Sequence, residues 1–355
     1  MLSDVLATRN NNFNLIRVML AVLVIYSHSY AIVYGFGATT PTKELFGFTL
    51  GDVAVNLFFI ISGFLVSGSY YNSTALKFLG SRVLRIYPAI IVSTMVSILL
   101  IGPLVTEMSL LDYFLSSETF EFFVRNTTLI FGVSYTLPGV FSDVPYHGIV
   151  NGSLWSLPYE VKLYVILFSV LFASDILSRL TKKHAIARFL TLTIFLILVV
   201  MYSFKLYFIL NETVVRLLCY FFSGVVFRLL SCYIRLNYFW LLLSLFSICI
   251  YLLTADPIFN MIYVPALSYL LLFIVYIPKG IITRFNYLGD YSYGLYIYGF
   301  VVQQFLIFQF DHLSVLELTF FSTIVSLVFS VASWHFIEYP MTKRKLSIKT
   351  KRLMV

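Results

Sequence analysis

Apolar runs of about twenty residues, the length that crosses a bilayer as a helix, recur along this chain. They can be drawn at 14–34, 51–70, 84–105, 154–174, 187–204, 213–232, 237–254, 258–277, 289–310 and 314–338. Backbone N–H and C=O groups find no water in hydrocarbon, so only helices or closed barrels span it. Barrel strands alternate in character and do not produce continuous apolar runs. With 60% hydrophobic and 11% charged residues and a mean hydropathy of +0.92, the chain lies far from soluble composition. The expected fold is all-α and integral to the membrane, with about ten transmembrane helices. They form one domain, 1–355, made of a helical bundle over 14–338 and a basic tail over 339–355. No linker, low-complexity stretch or repeat divides it, and the long connection is 106–153. The first run keeps Arg17 and lacks a small-residue cleavage site, so it reads as a retained span, not a signal peptide.

Lys and Arg fall in alternate loops, as at Lys77, Arg179, Lys182, Lys183, Arg235, Lys279, Arg284 and the tail "TKRKLSIKTKR". The other loops hold Glu44, Asp52, Glu107, Asp112, Glu118, Asp143, Asp256 and Asp311. Positive charge stays on the cytoplasmic side, which puts both termini there and agrees with an even helix count. The net charge of +8 is thereby a topology signal and gives no case for nucleic-acid binding; the tail can also meet anionic membrane lipid. Cys219, Cys232 and Cys249 have no metal-ligand spacing and read as small core residues.

Topology does not explain the two polar groups of "NLIRVMLAVLVIYSHSY", residues 14–30. Arg17 and His28 are eleven residues apart, about 20° beyond three full turns, so they share one face with roughly 16 Å between them along the axis. Alone, Arg17 reads equally as an interfacial anchor, and His28 as a hydrogen-bonded core histidine. Ionisable groups inside a membrane are functional candidates by default, and the shared stripe strengthens the pair.

Other polar groups recur in blocks. In "NLFFIISGFL", residues 56–65, Ser62 and Gly63 suit close helix packing. In "SRVLRIYP", Arg82 and Arg85 share a face at an expected helix start with Pro88 in its first turns. Positive-inside bias accounts for both arginines, but arginine also suits bidentate phosphate binding, and helix N-termini favour anions. "NGSLWSLPYEVKLY" opens the fourth span with Ser153 as an expected cap and Trp155 as an aromatic-belt residue. Glu160 lies inside that span, with an ion pair to Lys162 as the structural alternative to a functional role. "YLGDYSYGLYIYGFVVQQ" carries tyrosines suited to interface packing, and Gln303 and Gln304, which imply an inward polar face. In the terminal "WHFIEYP", His335 and Glu338 are expected near the cytoplasmic surface, with Glu338 paired to the basic tail.

Taken in order, these blocks resemble the acyltransferase-3 family of multi-pass membrane acyltransferases, which modify sugars of O-antigens, capsules, Nod factors and other glycans. The resemblance rests on Arg17 and His28, on the FFxxSGF block (Phe58, Phe59, Ser62, Gly63, Phe64), on Arg82, Arg85 and Pro88, on Ser153 to Glu160, on SYGLYIY (292–298) and on IEYP (337–340). Asn56 stands where many relatives have an aspartate, and Gly299 where many have a histidine, so roles at those positions are not carried over. No SGNH-type domain follows, so acceptor recognition is expected from the membrane part and its loops.

The resemblance implies a membrane O-acyltransferase of the bacterial inner membrane. Acyl-CoA, most often acetyl-CoA, is the donor co-substrate, a hydroxyl of a glycan or lipid-linked sugar is the acceptor, and neither a permanently bound cofactor nor a metal is expected. Arg17, Arg82 and Arg85 are then the candidates for the phosphates of coenzyme A. His28 is the candidate general base, transient acylation of its ring being the variant, and Glu160 is the candidate partner that orients it. A transporter or flippase would also want many helices and a buried Arg/His pair, but no paired Gly/Pro-broken helices mark two corresponding halves.

Overall fold

The structure, a computed structural model, describes residues 1–6, 11–182, 185–310 and 312–343. The basic tail beyond Lys343, together with Arg9, Lys183 and Asp311, lies outside the described residues. Among the described residues there are ten long helices and no strand. They are α1 (Phe13–Tyr34), α2 (Leu50–Tyr70), α3 (Ala75–Val96), α4 (Leu157–Thr181), α5 (Ile186–Ser203), α6 (Glu212–Leu229), α7 (Tyr238–Thr254), α8 (Pro257–Tyr276), α9 (Ser292–Gln309) and α10 (Val315–Ser333).

Each expected span lies on one of these helices, but length and composition qualify seven of them to cross a membrane. The seven are α1, α2, α5, α8 and the segments Ala75–Val105, Gly152–Thr181 and Val315–Lys343. The physical reason is visible in the other three. Helix α7 has 17 residues, α6 carries Glu212, Arg216 and Arg228, and α9 dilutes its apolar residues with tyrosines and glutamines.

The chain divides into two compact units that interleave in sequence: Met1–Ile16, Val53–Phe78 and Lys162–Leu288 form one, and Arg17–Asp52, Leu79–Val161 and Gly289–Val355 the other. In the first unit α5 packs on α6 and α8, and α7 on α8. Small residues set its closest approach, as expected for helices in lipid. A Cβ on Gly63 would overlap the Phe221 carbonyl, and one on Gly224 would overlap the Ile60 carbonyl, so α2 and α6 cross with backbone against backbone. Ser223 and Ser268 share a 2.6 Å hydrogen bond between α6 and α8. Of the cysteines only Cys219 is buried; Cys232 and Cys249 are exposed, contrary to the expectation of three core residues.

In the second unit α9 packs along α10. A stripe of Ser322, Ser326, Ser330 and Ser333 is buried on α10, and a Cβ on Gly294 would come within 2.6 Å of the Ser330 Cα. The connection 106–153 is folded rather than loose. It contains helices Leu110–Leu115 and Ser117–Thr128, and Tyr113, Phe122, Leu137, Phe141 and Val150 bury themselves with Ile98, Ile101 and Val301 in one cluster. A π-helical turn, Ser97–Ile101, extends α3, and the Tyr113 hydroxyl donates to the Ile98 carbonyl at 3.0 Å. Gly102 leaves room for that phenol, which a Cβ would strike.

Candidate active site

Residues on or beside four helices bring an ion cluster together in the second unit. Gly289 holds a positive φ of 123° immediately before α9, and a Cβ there would strike the Trp334 indole, so the turn requires glycine. The following Asp290 is buried. Its Oδ1 accepts from the Ser292 hydroxyl at 2.6 Å. Its Oδ2 accepts from Arg17 Nη1 on α1 and from Arg85 Nη2 on α3, each at 2.6 Å. Arg85 uses Nη1 to reach Glu338 Oε2 at 3.2 Å, in the π-helical turn Trp334–Glu338 that follows α10, and its guanidinium lies 5.6 Å from the centre of the Tyr293 ring. Burial by itself raises the Asp290 pKa, but Arg85 and then Arg17 outweigh it and hold the carboxyl well below the ordinary range.

The sequence blocks thus meet differently from expectation at several points. Glu338 pairs with Arg85, where the basic tail was expected, because the turn after α10 carries it inward to a buried place. Arg82 and Arg85 are not at a helix start: α3 begins at Ala75 and Pro88 lies in its interior, so the anion preference of a helix N-terminus does not reach them. Arg82 donates through Nε to the neighbouring Ser81 hydroxyl at 3.1 Å. Tyr291, Tyr296 and Tyr298 are buried within the protein. The Tyr296 and Ser156 hydroxyls are 2.6 Å apart, and Tyr293 donates to the Ile86 carbonyl at 2.9 Å. The cap before α4 is Asn151, whose side chain accepts from the Ser153 amide, so Ser153 is capped and does not cap.

His28 lies on α1 beyond the ion cluster. Its ring meets Phe300 of α9 edge to face, with centroids 5.2 Å apart, and Gly299 lets α9 approach, since a Cβ there would sit 2.9 Å from Ile25 Cγ1. Gln303, fully buried, donates through Nε2 to the Ile25 carbonyl at 2.8 Å and to the Ser29 hydroxyl at 2.7 Å. This locks the turn of α1 that carries His28. The His28 Nδ1 atom is shielded and has no hydrogen-bond partner.

Glu160 stands in the first turn of α4, where its charge acts on Tyr296. The acid whose charge acts on the His28 ring is Asp52. Gly51 explains the placement, because a Cβ on it would come within 2.8 Å of Ser27 Cβ, so the start of α2 rests on α1 one residue before His28. A capping box fixes Asp52 there: Thr49 donates to its Oδ2 through N at 3.0 Å and through Oγ1 at 2.8 Å, and the Asp52 amide donates back at 2.9 Å.

Sequence reasoning missed Asp52 and Asp290. Asp290 had a signal, as an acid among loops otherwise rich in Lys and Arg; Asp52 resembled any acidic loop residue of the opposite side.

The sequence profile of an acyltransferase domain, that of the acyltransferase-3 family, matches residues 10–335. The chain belongs to the acyltransferase-3 family. Among relatives, it is 27% identical to "O-acetyl transferase" of Shigella phage Sf6 over 93% of this chain and 95% of that one. It is 32% identical to "Nodulation protein 10" of Rhizobium leguminosarum bv. viciae over 44% of this chain and 43% of that one. No solved structure matches. The profile embraces the arginines of the ion cluster, Asp290 and His28, and stops at His335, three residues before Glu338. A multi-pass membrane acyltransferase is the function class that the family and the apolar helices support together.

Proposed function

We propose that this chain is an O-acyltransferase of the bacterial inner membrane that moves an acyl group, acetyl foremost, from acyl-CoA to a hydroxyl of a cell-surface glycan or lipid-linked sugar. The observation that carries the reading is the unpartnered Nδ1 of His28 on the same helix stripe as Arg17, whose guanidinium is fixed by Asp290 beside Arg85. The rise of α1 between the two residues, roughly 16 Å, is comparable with the extended pantetheine arm. Phosphates of the donor then sit against Arg17, Arg82 and Arg85 at the cytoplasmic mouth, and the thioester reaches His28.

In the reaction His28 takes the proton of the sugar hydroxyl as its oxygen attacks the thioester carbonyl carbon. The C–S bond breaks as the tetrahedral intermediate collapses, and the leaving thiolate of coenzyme A takes the proton back from the imidazolium. Asp52 stabilises the protonated ring by its charge. Glu160, whose charge acts on Tyr296, remains the candidate second carboxylate of the site. The name of the phage relative, "O-acetyl transferase", supports acetyl as the group transferred.

Purified protein supplied with acetyl-CoA and with surface glycan stripped of acyl groups by mild base tests the reading. Acceptor-dependent thiol release and a glycan heavier by one acetyl group are expected. Retention of full transfer by His28→Ala, at unchanged protein level, would remove His28 from the chemistry.

A further inference from the structure

From His28 a row of rings leads to the surface of the second unit. Phe300, which meets His28, is 3% exposed and lies 6.1 Å from Tyr146, centroid to centroid. Tyr146 stacks on Phe36 at 4.2 Å with 28° between the planes. His147 stands edge-on to the same Phe36 at 4.9 Å, and Phe36 is 55% exposed.

Several contacts hold this arrangement in place. Gln304, fully buried, donates through Nε2 to the carbonyls of Tyr146 and Ile149, each at 2.7 Å. Gly35, at a φ of +86°, brings the end of α1 so close to the Pro145 carbonyl that a Cβ would stand 2.9 Å from it. Gly152 leaves space for Phe300, since a Cβ there would come within 2.7 Å of the ring.

Phe36 is thereby an exposed ring on a fixed support that continues to His28. The segment that carries Tyr146 also exposes Ser142, Asp143 and His147, polar groups that hydrocarbon would penalise, which argues against a lipid-facing surface. An exposed ring face with the His147 imidazole at its side instead matches a pyranose ring, which presents C–H bonds on one face and hydroxyls around its edge.

We propose that Phe36, Tyr146 and His147 form a sugar-binding subsite of the acceptor, an inference that rests on the reading of the chain as a glycan acyltransferase. Tyr146 and Phe300 separate the platform from His28, so the sugar seated on Phe36 is a neighbour of the unit that is acylated. The subsite therefore selects a chain of sugars over a single one.

The test uses the full chain in detergent, with base-deacylated surface oligosaccharide from the producing cell and simple methyl glycosides as probes. Phe36→Ala is expected to raise KM for the oligosaccharide by about tenfold, with KM for acetyl-CoA held within about twofold. Phe36→Trp is expected to restore it and to show indole fluorescence that shifts with oligosaccharide but not with methyl glycosides. Phe36→Leu keeps an apolar side chain without a stacking face and is expected to behave as the alanine variant. A wild-type acceptor KM in Phe36→Leu would make the ring a membrane contact and overturn the proposal, as would an unresponsive Phe36→Trp that still transfers acyl groups. A fluorescence response without any transfer by the wild type would keep the subsite and remove the assigned reaction.

Discussion

At the scale of single residues, the ion cluster and His28 make separate predictions. Asp290→Asn leaves two guanidinium groups without the carboxylate that joins them, and losing one partner of a buried pair costs about 3–5 kcal/mol. The folded-state pKa of Asp290 lies below its unfolded value, so its contribution is present above about pH 4 and fades as pH falls through the folded value. Thermal unfolding in detergent should show a gap between wild type and Asp290→Asn that is constant near neutrality and closes only in acid. A gap that closed already near neutral pH would contradict the assignment. At the other end of the stripe, Asp52→Asn is expected to lower kcat more than Glu160→Gln, because the charge of Asp52 acts on His28 and that of Glu160 on Tyr296; steady-state kinetics on both variants decides it. Arg17, Arg85 and His28 were legible in the sequence because an ionisable group inside an apolar run is costly and draws notice. Asp290 and Asp52 were not, because an acid at a helix end costs nothing until the fold shows what it faces.

At the scale of elements, hydropathy located every long helix but not the start of the third or the fold of what joins it to the fourth. The span expected from residue 84 starts earlier, at Ala75, since Lys77, Gly80, Ser81 and Arg82 dilute the hydropathy signal of its first turns. How the connection 106–153 folds was not legible, because its apolar residues are scattered in sequence and meet only when Tyr113, Phe122 and Phe141 close on the end of α3. The packing role of Gly63 was readable, whereas its partner was not: Gly224 lies far along the chain, and no pattern links the two. Gly224→Val should therefore force α2 and α6 apart and destabilise the protein by about 1–3 kcal/mol, the range for overpacking. A lowered unfolding midpoint in detergent, together with unchanged KM for acetyl-CoA, is the expected result. An unchanged midpoint would show that the crossing is looser than the Gly224 to Ile60 contact requires.

At the scale of the whole molecule, the number of crossings and the side of each end are one question. Seven helices satisfy length and composition; if only these crossed, an odd count would set the two termini on opposite sides of the membrane. If α6, α7 and α9 cross as well, the count is ten and the termini share a side. Charge favours the second outcome, because Lys77, Arg179, Arg235, Lys279 and Arg284 then all face the cytoplasm. Their neighbours Glu107, Asp112, Asp143 and Asp256 then face away. The polar groups of α9 fit a crossing helix because Gln303 and Gln304 are fully buried inside the protein and spend their amide N–H groups on backbone carbonyls. A reporter active only in the cytoplasm, fused separately after Met1 and after Val355, is expected to be active at both ends. The same reporter placed within 106–153 is expected to be silent, and activity there would invert the orientation. Activity at only one terminus would remove an odd number of the three helices from the membrane. With both termini cytoplasmic, the Arg17 end of α1 faces the donor's compartment and the His28 end lies toward the opposite leaflet. Under the proposed reaction, an acceptor glycan presented from outside is then the one expected to reach His28.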